Sequence, residues 1–401
     1  MGASLSFMSY PGVLPVLREE WGLSATAAGF ISTSFQLAFT LSLAVFSGLA
    51  DRVGARRIFL WSSFFTAITA FLVPLMAQGY RSGLLLFTLL AFTSGGTYTP
   101  GLMLVAGRIS PGRRGWAMGW FLAAASLGYA CSLLITGLLV SQFGWRSALI
   151  GIAIGSFMGA VLALWTLHHS PDEAPVAGRS LDGGGFVTAV LTNRPVLLLL
   201  VGYTFHSWEV LGMWAWTPAF LTAVLGDDEA IERAAGHGAS LTALFHLTGL
   251  LATSVSGWLS DRWGRTGVII LMMSISTLCS VTFGWLVNAP LSLVLLVGFI
   301  YSFAAIGDSP VYSTALTEVV RPAYLGSALA MRSLVGFGVG SMSSVAFGTV
   351  LDLTNPPAAG HHALTWGWAY GVLGLGAALG LLSVVCLRRL PQSEQMANGK
   401  R

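Results

Sequence analysis

The chain has 401 residues, 55% hydrophobic and only 9% charged, with 20 Lys and Arg against 16 Asp and Glu. A soluble domain carries about 25% charged residues, so this composition excludes an ordinary globular domain and points to a polytopic membrane protein. The net charge of +4 is no argument for a nucleic-acid partner, because the arginines fall in short loops between apolar runs rather than on one face.

Twelve apolar runs of membrane length follow one another, at about 2–17, 24–50, 57–78, 82–106, 115–141, 145–167, 195–225, 238–259, 267–287, 290–317, 323–351 and 363–387. A backbone exposed to lipid must satisfy its hydrogen bonds within each segment, so the runs are expected to be helices and the fold an all-α membrane protein with twelve spans. The first run, Gly2 to Leu17, is shorter than the about 20 residues a span needs. It is either tilted and shallow or begins upstream of Met1, the second reading being preferred. No cleavable signal peptide is visible, since Met1 leads almost directly into that run. Pro11-Gly12, Pro15, Pro100-Gly101, Pro218 and Pro310 lie inside spans, where such interruptions often mark substrate paths.

Orientation follows from the basic residues. With an even number of spans both termini share a side, and its loops and tail hold 15 of them: Arg52, Arg56, Arg57, Arg108, Arg113, Arg114, Arg179, Arg194, Arg262, Arg265, Arg321, Arg388, Arg389, Lys400 and Arg401. The other side has four, Arg18, Arg81, Arg146 and Arg233. The positive-inside rule then places both termini in the cytoplasm, in a bacterial inner membrane. The Pro- and Gly-containing stretch from His168 to Arg194 reads as a flexible linker between halves. The domain division is therefore a six-helix bundle at 1–167, the linker at 168–194, a second bundle at 195–390 and a tail at 391–401. The acidic run from Gly226 to Arg233 reads as a solvated external loop. The polar tail after Pro391 is expected to be disordered. Cys131, Cys279 and Cys386 sit in apolar runs without metal-like spacing and read as packing residues.

Two short charged turns organise the chain. Ser47-Gly48-Leu49-Ala50-Asp51-Arg52-Val53-Gly54-Ala55-Arg56-Arg57 follows the second run, and Gly257-Trp258-Leu259-Ser260-Asp261-Arg262-Trp263-Gly264-Arg265 follows the eighth, 210 residues on. Arg113 to Met118 and Tyr324 to Leu329, entering the fifth and eleventh runs, repeat at an offset of 211. A parallel repeat of half the chain implies two six-helix units related by an axis along the membrane normal.

These residues resemble the signature of the major facilitator superfamily, Gly-x-x-x-Asp-Arg-x-Gly-Arg-Arg, and the resemblance covers the whole chain. Asp51, Arg52, Gly54, Arg56 and Arg57 match it, with Ser47 in place of the first glycine, and Gly257, Asp261, Arg262, Gly264 and Arg265 form the second copy. The resemblance implies a secondary transporter working by alternating access between its halves. A basic residue often carried mid-membrane in the fourth span is absent from Ala91 to Tyr98, and the Gly-Pro motif of drug–proton antiporters is absent from Ala123 to Tyr129. Multidrug export is thereby disfavoured, and the chain is most similar in look to the anion branches, such as cyanate- or carboxylate-type carriers.

Asp51, between two spans, can accept hydrogen bonds from helix N-terminal amides and pair with Arg52 or an arginine across the bundle. Arg108 resembles the family's partner for that aspartate, and Asp261 and Arg262 are the second copy's equivalents. A bridge made only when the cytoplasmic side is closed would bias one of two states, which makes these five gating candidates. Topology alone accounts for Arg56 and Arg57.

Ionisable residues deep in a membrane are costly and functional by default. The first half has none mid-span, only neutral side chains such as Gln36, Thr97, Tyr98 and Tyr129; the second has His206, Glu209, His246, Asp308 and Arg332. At about 1.5 Å per residue, Asp308 and Arg332 lie roughly 13–15 Å, and His206 and Glu209 roughly 16–21 Å, from the cytoplasmic ends of their helices, all near the midplane. His206 and Glu209, three apart, share a face and could exchange a proton. In low dielectric a carboxylate holds its proton more tightly, and a neighbouring cation loosens it, so such groups can load and release protons. Glu209, His206 and Asp308 are accordingly the proton-coupling candidates. Arg332 keeps its charge and offers bidentate donors suited to an anion. With Asp308 it could form a pair that opens to substrate; the plainer alternatives are a neutral structural pair and, for His246, a packing histidine. The family's cavity-lining helices nominate Tyr10, Tyr98, Trp208, Trp214 and Tyr312 as aromatic walls, against which stands ordinary packing or a lipid belt. Gly336, Gly338 and Gly340 beside Arg332 permit close helix approach.

The expected function is secondary transport of a small anionic or polar organic solute, coupled to protons, with sodium coupling open. The alternatives are a sensor or scaffold without flux and a uniporter or exporter of a neutral solute. No cofactor, metal or nucleic acid is expected, and no nucleophile–base constellation suggests an enzyme. The partners are the solute, the coupling ion and the lipid bilayer, and a monomer is expected.

Overall fold

The computed structural model describes residues 2–168, 190–226, 230–355 and 365–400, and among them all regular structure is helical. Most of the expected linker, the acidic residues 227–229, Arg179 and Arg401 lie outside the described residues. A 3-10 turn, Ala3–Ser6, leads into α1 (Ser9–Glu20), followed by α2 (Ala25–Val53), α3 (Ala55–Met76), α4 (Tyr80–Ser94), α5 (Thr99–Arg108) and α6 (Pro111–Leu167). Then come α7 (Arg194–Leu225), α8 (Ile231–Trp263), α9 (Arg265–Phe283), α10 (Leu291–Gly307), α11 (Ser309–Val319), α12 (Leu325–Thr354) and α13 (Gly367–Arg389).

Nine helices among the described residues are long and apolar enough to cross a membrane. The nine include the tenth run, as Leu291–Val319, and the fifth and sixth joined in one helix; the first and fourth take shorter forms. The first is the 12-residue α1 with its 3-10 lead. The fifth and sixth lie together in α6, where Gly144, at φ 76°, turns the chain in a region that disfavours any other residue. The fourth and tenth are broken. A 3-10 turn, Gly95–Thr97, separates α4 from α5, and Asp308 separates α10 from α11. Pro100 and Pro310, again 210 apart, stand in the first turn of α5 and α11. There the missing N–H belongs to the unpaired helix start, so proline begins a helix it could not continue.

The two signature turns fold alike. Gly54 ends α2 at φ 103° and Gly264 ends α8 at φ 88°, each reversing the chain directly into the next helix.

The chain forms two compact units, one of Met1–Gly178 with Trp214–Leu247 and the other of Arg179–Met213 with Thr248–Arg401. Chain order alone would divide it at the linker. The 214–247 stretch joins the first unit through small residues. A Cβ on Gly137 of α6 would lie 2.5 Å from the Gly236 carbonyl, and one on Gly236 equally close to the Gly137 carbonyl, so the two backbones touch. Ser141 and Ser240, four residues further along each helix, line the same contact. In the second unit one core cluster draws on α7, α9, α11, α12 and α13, including Tyr203, Met273, Tyr312 and Leu387.

The tail departs from expectation. Pro391–Gly399 forms a 3-10 segment folded onto the second unit, with Met396 only 1% exposed inside that unit's core cluster. The Ala397 N–H donates to Glu318 Oε2 at 2.9 Å, and Lys400 Nζ to the Asp261 carbonyl at 2.7 Å. One apolar side chain and two hydrogen bonds to a preformed charge cluster hold a segment whose composition alone reads as disorder.

Candidate functional site

The second unit's buried and half-buried polar side chains converge from several helices. α7 contributes Tyr203, His206 and Glu209 on one face, three residues apart each time. The break between α10 and α11 contributes Asp308, and α11 carries Tyr312 and Ser313 in its first turns. α12 contributes Arg332, and α9 Ser276.

His206, Glu209 and Asp308 are 5%, 1% and 2% exposed. His206 Nδ1 lies 2.8 Å from Asp308 Oδ1, at ion-pair distance but off the angles of a hydrogen bond. Glu209 Oε2 accepts from Ser276 Oγ at 2.9 Å, while its Oε1 is buried with no hydrogen-bond partner among the described residues. Beside it, Tyr301 donates to Ser280 Oγ at 3.0 Å and Ser280 to the Tyr370 carbonyl at 3.1 Å. His206 and Glu209 are thus aimed at different partners rather than at each other.

Arg332 does not pair with Asp308. Its guanidinium carbon sits 4.1 Å above the centre of the Tyr203 ring, and Nη1 donates to Ser313 Oγ at 2.5 Å. Its Nε is buried without a hydrogen-bond partner, and it joins none of the ion pairs among the described residues. Asp308 goes to His206 because the helix break places the carboxylate against α7.

The aromatic candidates separate. Tyr312, 1% exposed, donates to Met273 Sδ at 3.0 Å, and its ring lies 6.0 Å from His206. Trp208 instead faces α13, with Nε1 donating to the Val372 carbonyl at 3.2 Å and its ring against Gly376. It is a packing residue rather than a cavity wall. In the first unit Tyr10 donates to the Ala28 carbonyl at 3.0 Å and packs on Phe87, its ring only 1% exposed. Trp214 and His246 stack at 5.3 Å and join Tyr129 around Phe7, whose ring meets Phe35, Phe39, Tyr129 and Trp214 within 6.2 Å. His246 belongs to this aromatic cluster and not to the buried charges.

That first unit also encloses a cavity of about 150 Å³, lined by Thr66, Thr97, Tyr98 and Tyr129 among others, with no charged side chain in its wall. The neutrality expected of the first half therefore holds at its cavity.

The signature turns also differ in chemistry. Asp51 and Arg52 are exposed, and no hydrogen bond or ion pair of Asp51 is found among the described residues. Arg56 closes the end of α6, Nε donating to the Leu167 carbonyl and Nη2 to the His168 carbonyl, both at 2.7 Å. In the second copy Arg265 bridges Asp261 at 2.5 Å and Glu318 at 2.8 Å, and Arg262 lies over the Trp258 ring at 3.8 Å. The residues 210 positions before Arg265 and Glu318 are Ala55 and Arg108, so the first half cannot build this bridge. Sequence reasoning missed Tyr203, Ser276, Ser313 and Glu318. Only Tyr203 carried a signal, its spacing of three from His206.

A helical membrane protein with a repeated signature turn, paired helix breaks and charges buried in one half is a solute carrier in architecture. The profile of the Major Facilitator Superfamily matches residues 1–344 and 238–401, and the chain belongs to that family. It is an integral membrane protein and a secondary transporter, not an enzyme. It is 26% identical to “Probable anion transporter 4, chloroplastic” from Oryza sativa subsp. japonica, over 85% of this chain and 60% of that one. It is 24% identical to “Probable sulfoacetate transporter SauU” from Cupriavidus necator, over 92% of this chain and 87% of that one. The chain thus spans less than two thirds of the rice relative's length. Among solved structures it is similar to a D-xylose-proton symporter, with a TM-score of 0.73, 16% identity and 98% of each chain covered.

Proposed function

We propose that the chain carries a small anionic or polar organic solute by proton-coupled alternating access, as a monomer in the plasma membrane with both termini in the cytoplasm. The observation that carries this reading is Arg332, a permanent cation in the bundle with one hydroxyl partner and no carboxylate among the described residues opposite it. Such a group has donors to spare for a carboxylate, sulfonate or similar anion, and can meet one bidentately. The names of the rice and Cupriavidus relatives, both anion carriers, agree with it.

Proton coupling draws on the two buried acids. Asp308 with His206 forms a pair that can hold one proton more or less. Glu209, with one oxygen held by Ser276 and the other unpartnered, is a second proton site on the same helix as His206. Asp51, Arg52, Arg108, Asp261 and Arg262 are the gating residues of this scheme. The external test is uptake by proteoliposomes of a panel of small anions (sulfoacetate, acetate and nitrate) with and without a pH gradient. Accumulation of an anion driven by the gradient is expected. Transport of a cation but of no anion refutes the role of Arg332, and anion accumulation indifferent to pH refutes the coupling.

A further inference from the structure

We infer that Tyr203 is the positioning residue of the anion seat: its ring face holds the Arg332 guanidinium in place inside the bundle until an anion arrives. This rests on the anion-binding role proposed above for Arg332. A guanidinium carries five N–H donors, and here one is engaged by a side chain, that of Ser313 at 2.5 Å. Its charge has to be met by something else, and the group lying against it is the Tyr203 ring, 4.1 Å from the guanidinium carbon. Cation–π attraction strengthens as the partners are shielded from water; Tyr203 is 3% exposed and Arg332 is half-buried.

Gly336 and three neighbouring rings also pack on the Tyr203 ring. Gly336, one turn beyond Arg332 on the same face of α12, faces the ring so closely that a Cβ there would lie 2.7 Å from Tyr203 Cδ1. Gly340, a further turn along, packs on the Ser207 backbone, where a Cβ would come within 2.8 Å. Those two glycines let α12 approach α7 closely enough for the Arg332 guanidinium to lie over the ring. Tyr312 meets the Tyr203 ring edge-on at 5.9 Å, and Phe337 and His206 lie tilted against that same ring at 6.2 and 5.3 Å. The ring therefore cannot turn aside, whereas the guanidinium is tied by one hydroxyl and can swing to an anion. The same ring touches His206, so the anion seat and the His206–Asp308 pair share one wall.

The role separates from mere packing by substitution. Tyr203→Phe keeps the ring face, and Tyr203→Leu keeps much of the bulk but removes it; Tyr203→Met, which adapts to irregular gaps, takes the place of Leu if that variant does not fold. Each full-length variant is reconstituted, and uptake of sulfoacetate, acetate and nitrate is measured under one fixed pH gradient. Tyr203→Phe is expected to keep KM within about twofold, while Tyr203→Leu raises it about tenfold with Vmax little changed. Gly336→Ala, which displaces the ring, is expected to raise KM as well. An unchanged KM in Tyr203→Leu overturns the inference, as does equal damage from Phe and Leu, or a loss confined to Vmax. Arg332→Gln separates the two levels. If it transports like the native chain, or if none of the three anions moves, the anion reading itself fails; if it loses uptake while Tyr203→Leu does not, only the role of Tyr203 fails.

Discussion

Asp308→Asn tests how the buried charges divide their work. The substitution keeps the side-chain shape and removes one negative charge from a site 2% exposed, 2.8 Å from His206 Nδ1. The His206 ring then faces a neutral amide instead of a carboxylate, and the pair loses its acidic member. Arg332 is held by Tyr203 and Ser313 rather than by Asp308, so KM for an anion should not rise, since removing a nearby negative charge does not weaken anion binding. In proteoliposomes, accumulation driven by a pH gradient is therefore expected to vanish while solute counterflow, which needs no net proton movement, persists. Gradient-driven accumulation surviving in Asp308→Asn would refute the proton role. A tenfold rise in KM would refute the division itself, since it would mean that Asp308 orders the anion seat.

Two further predictions concern the docked tail and the first signature turn. Met396→Asp puts a charge into a site only 1% exposed and so should release the tail; losing a buried side chain of that size costs about 2 kcal/mol or more, about thirtyfold in the population of the opened segment. Limited proteolysis should then remove the residues after Leu390 from the variant faster than from the native chain, and equal resistance would show the docking to be unimportant. Asp51→Ala should leave expression and thermal unfolding unchanged, because Asp51 is exposed and makes no hydrogen bond or ion pair among the described residues, yet collapse uptake; unimpaired uptake in vesicles removes the gating role.

Much of the architecture was readable because a membrane imposes long apolar runs and a repeat repeats. Gly54 and Gly264 correspond in the sequence repeat, and both adopt a positive φ. The expected pairing of Arg332 with Asp308 is not made, for a reason invisible in one dimension. Both lie at similar depth, but the break after Gly307 turns the carboxylate towards α7, where His206 waits. Trp208 and Trp214 lie six residues apart on α7, yet one faces α13 and the other the cluster around Phe7. Depth along a helix is a matter of counting residues; the direction of a side chain depends on which neighbour has room, and at Trp208 that room comes from Gly376.

The sequence by itself determined the class of protein, its long apolar helices, the half-chain repeat and, among the described residues, the confinement of buried charge to the second half, because each follows from composition and spacing under the demand that a backbone in lipid satisfy itself. Tertiary structure alone decided the partners. It joined Arg332 to Tyr203, His206 to Asp308 and Glu209 to Ser276, carried 214–247 into the first unit through Gly137 and Gly236, and folded the tail onto Glu318. Those pairings bring residues from different helices within 3–4 Å, and no periodicity along a single helix specifies which face of the next one it will meet.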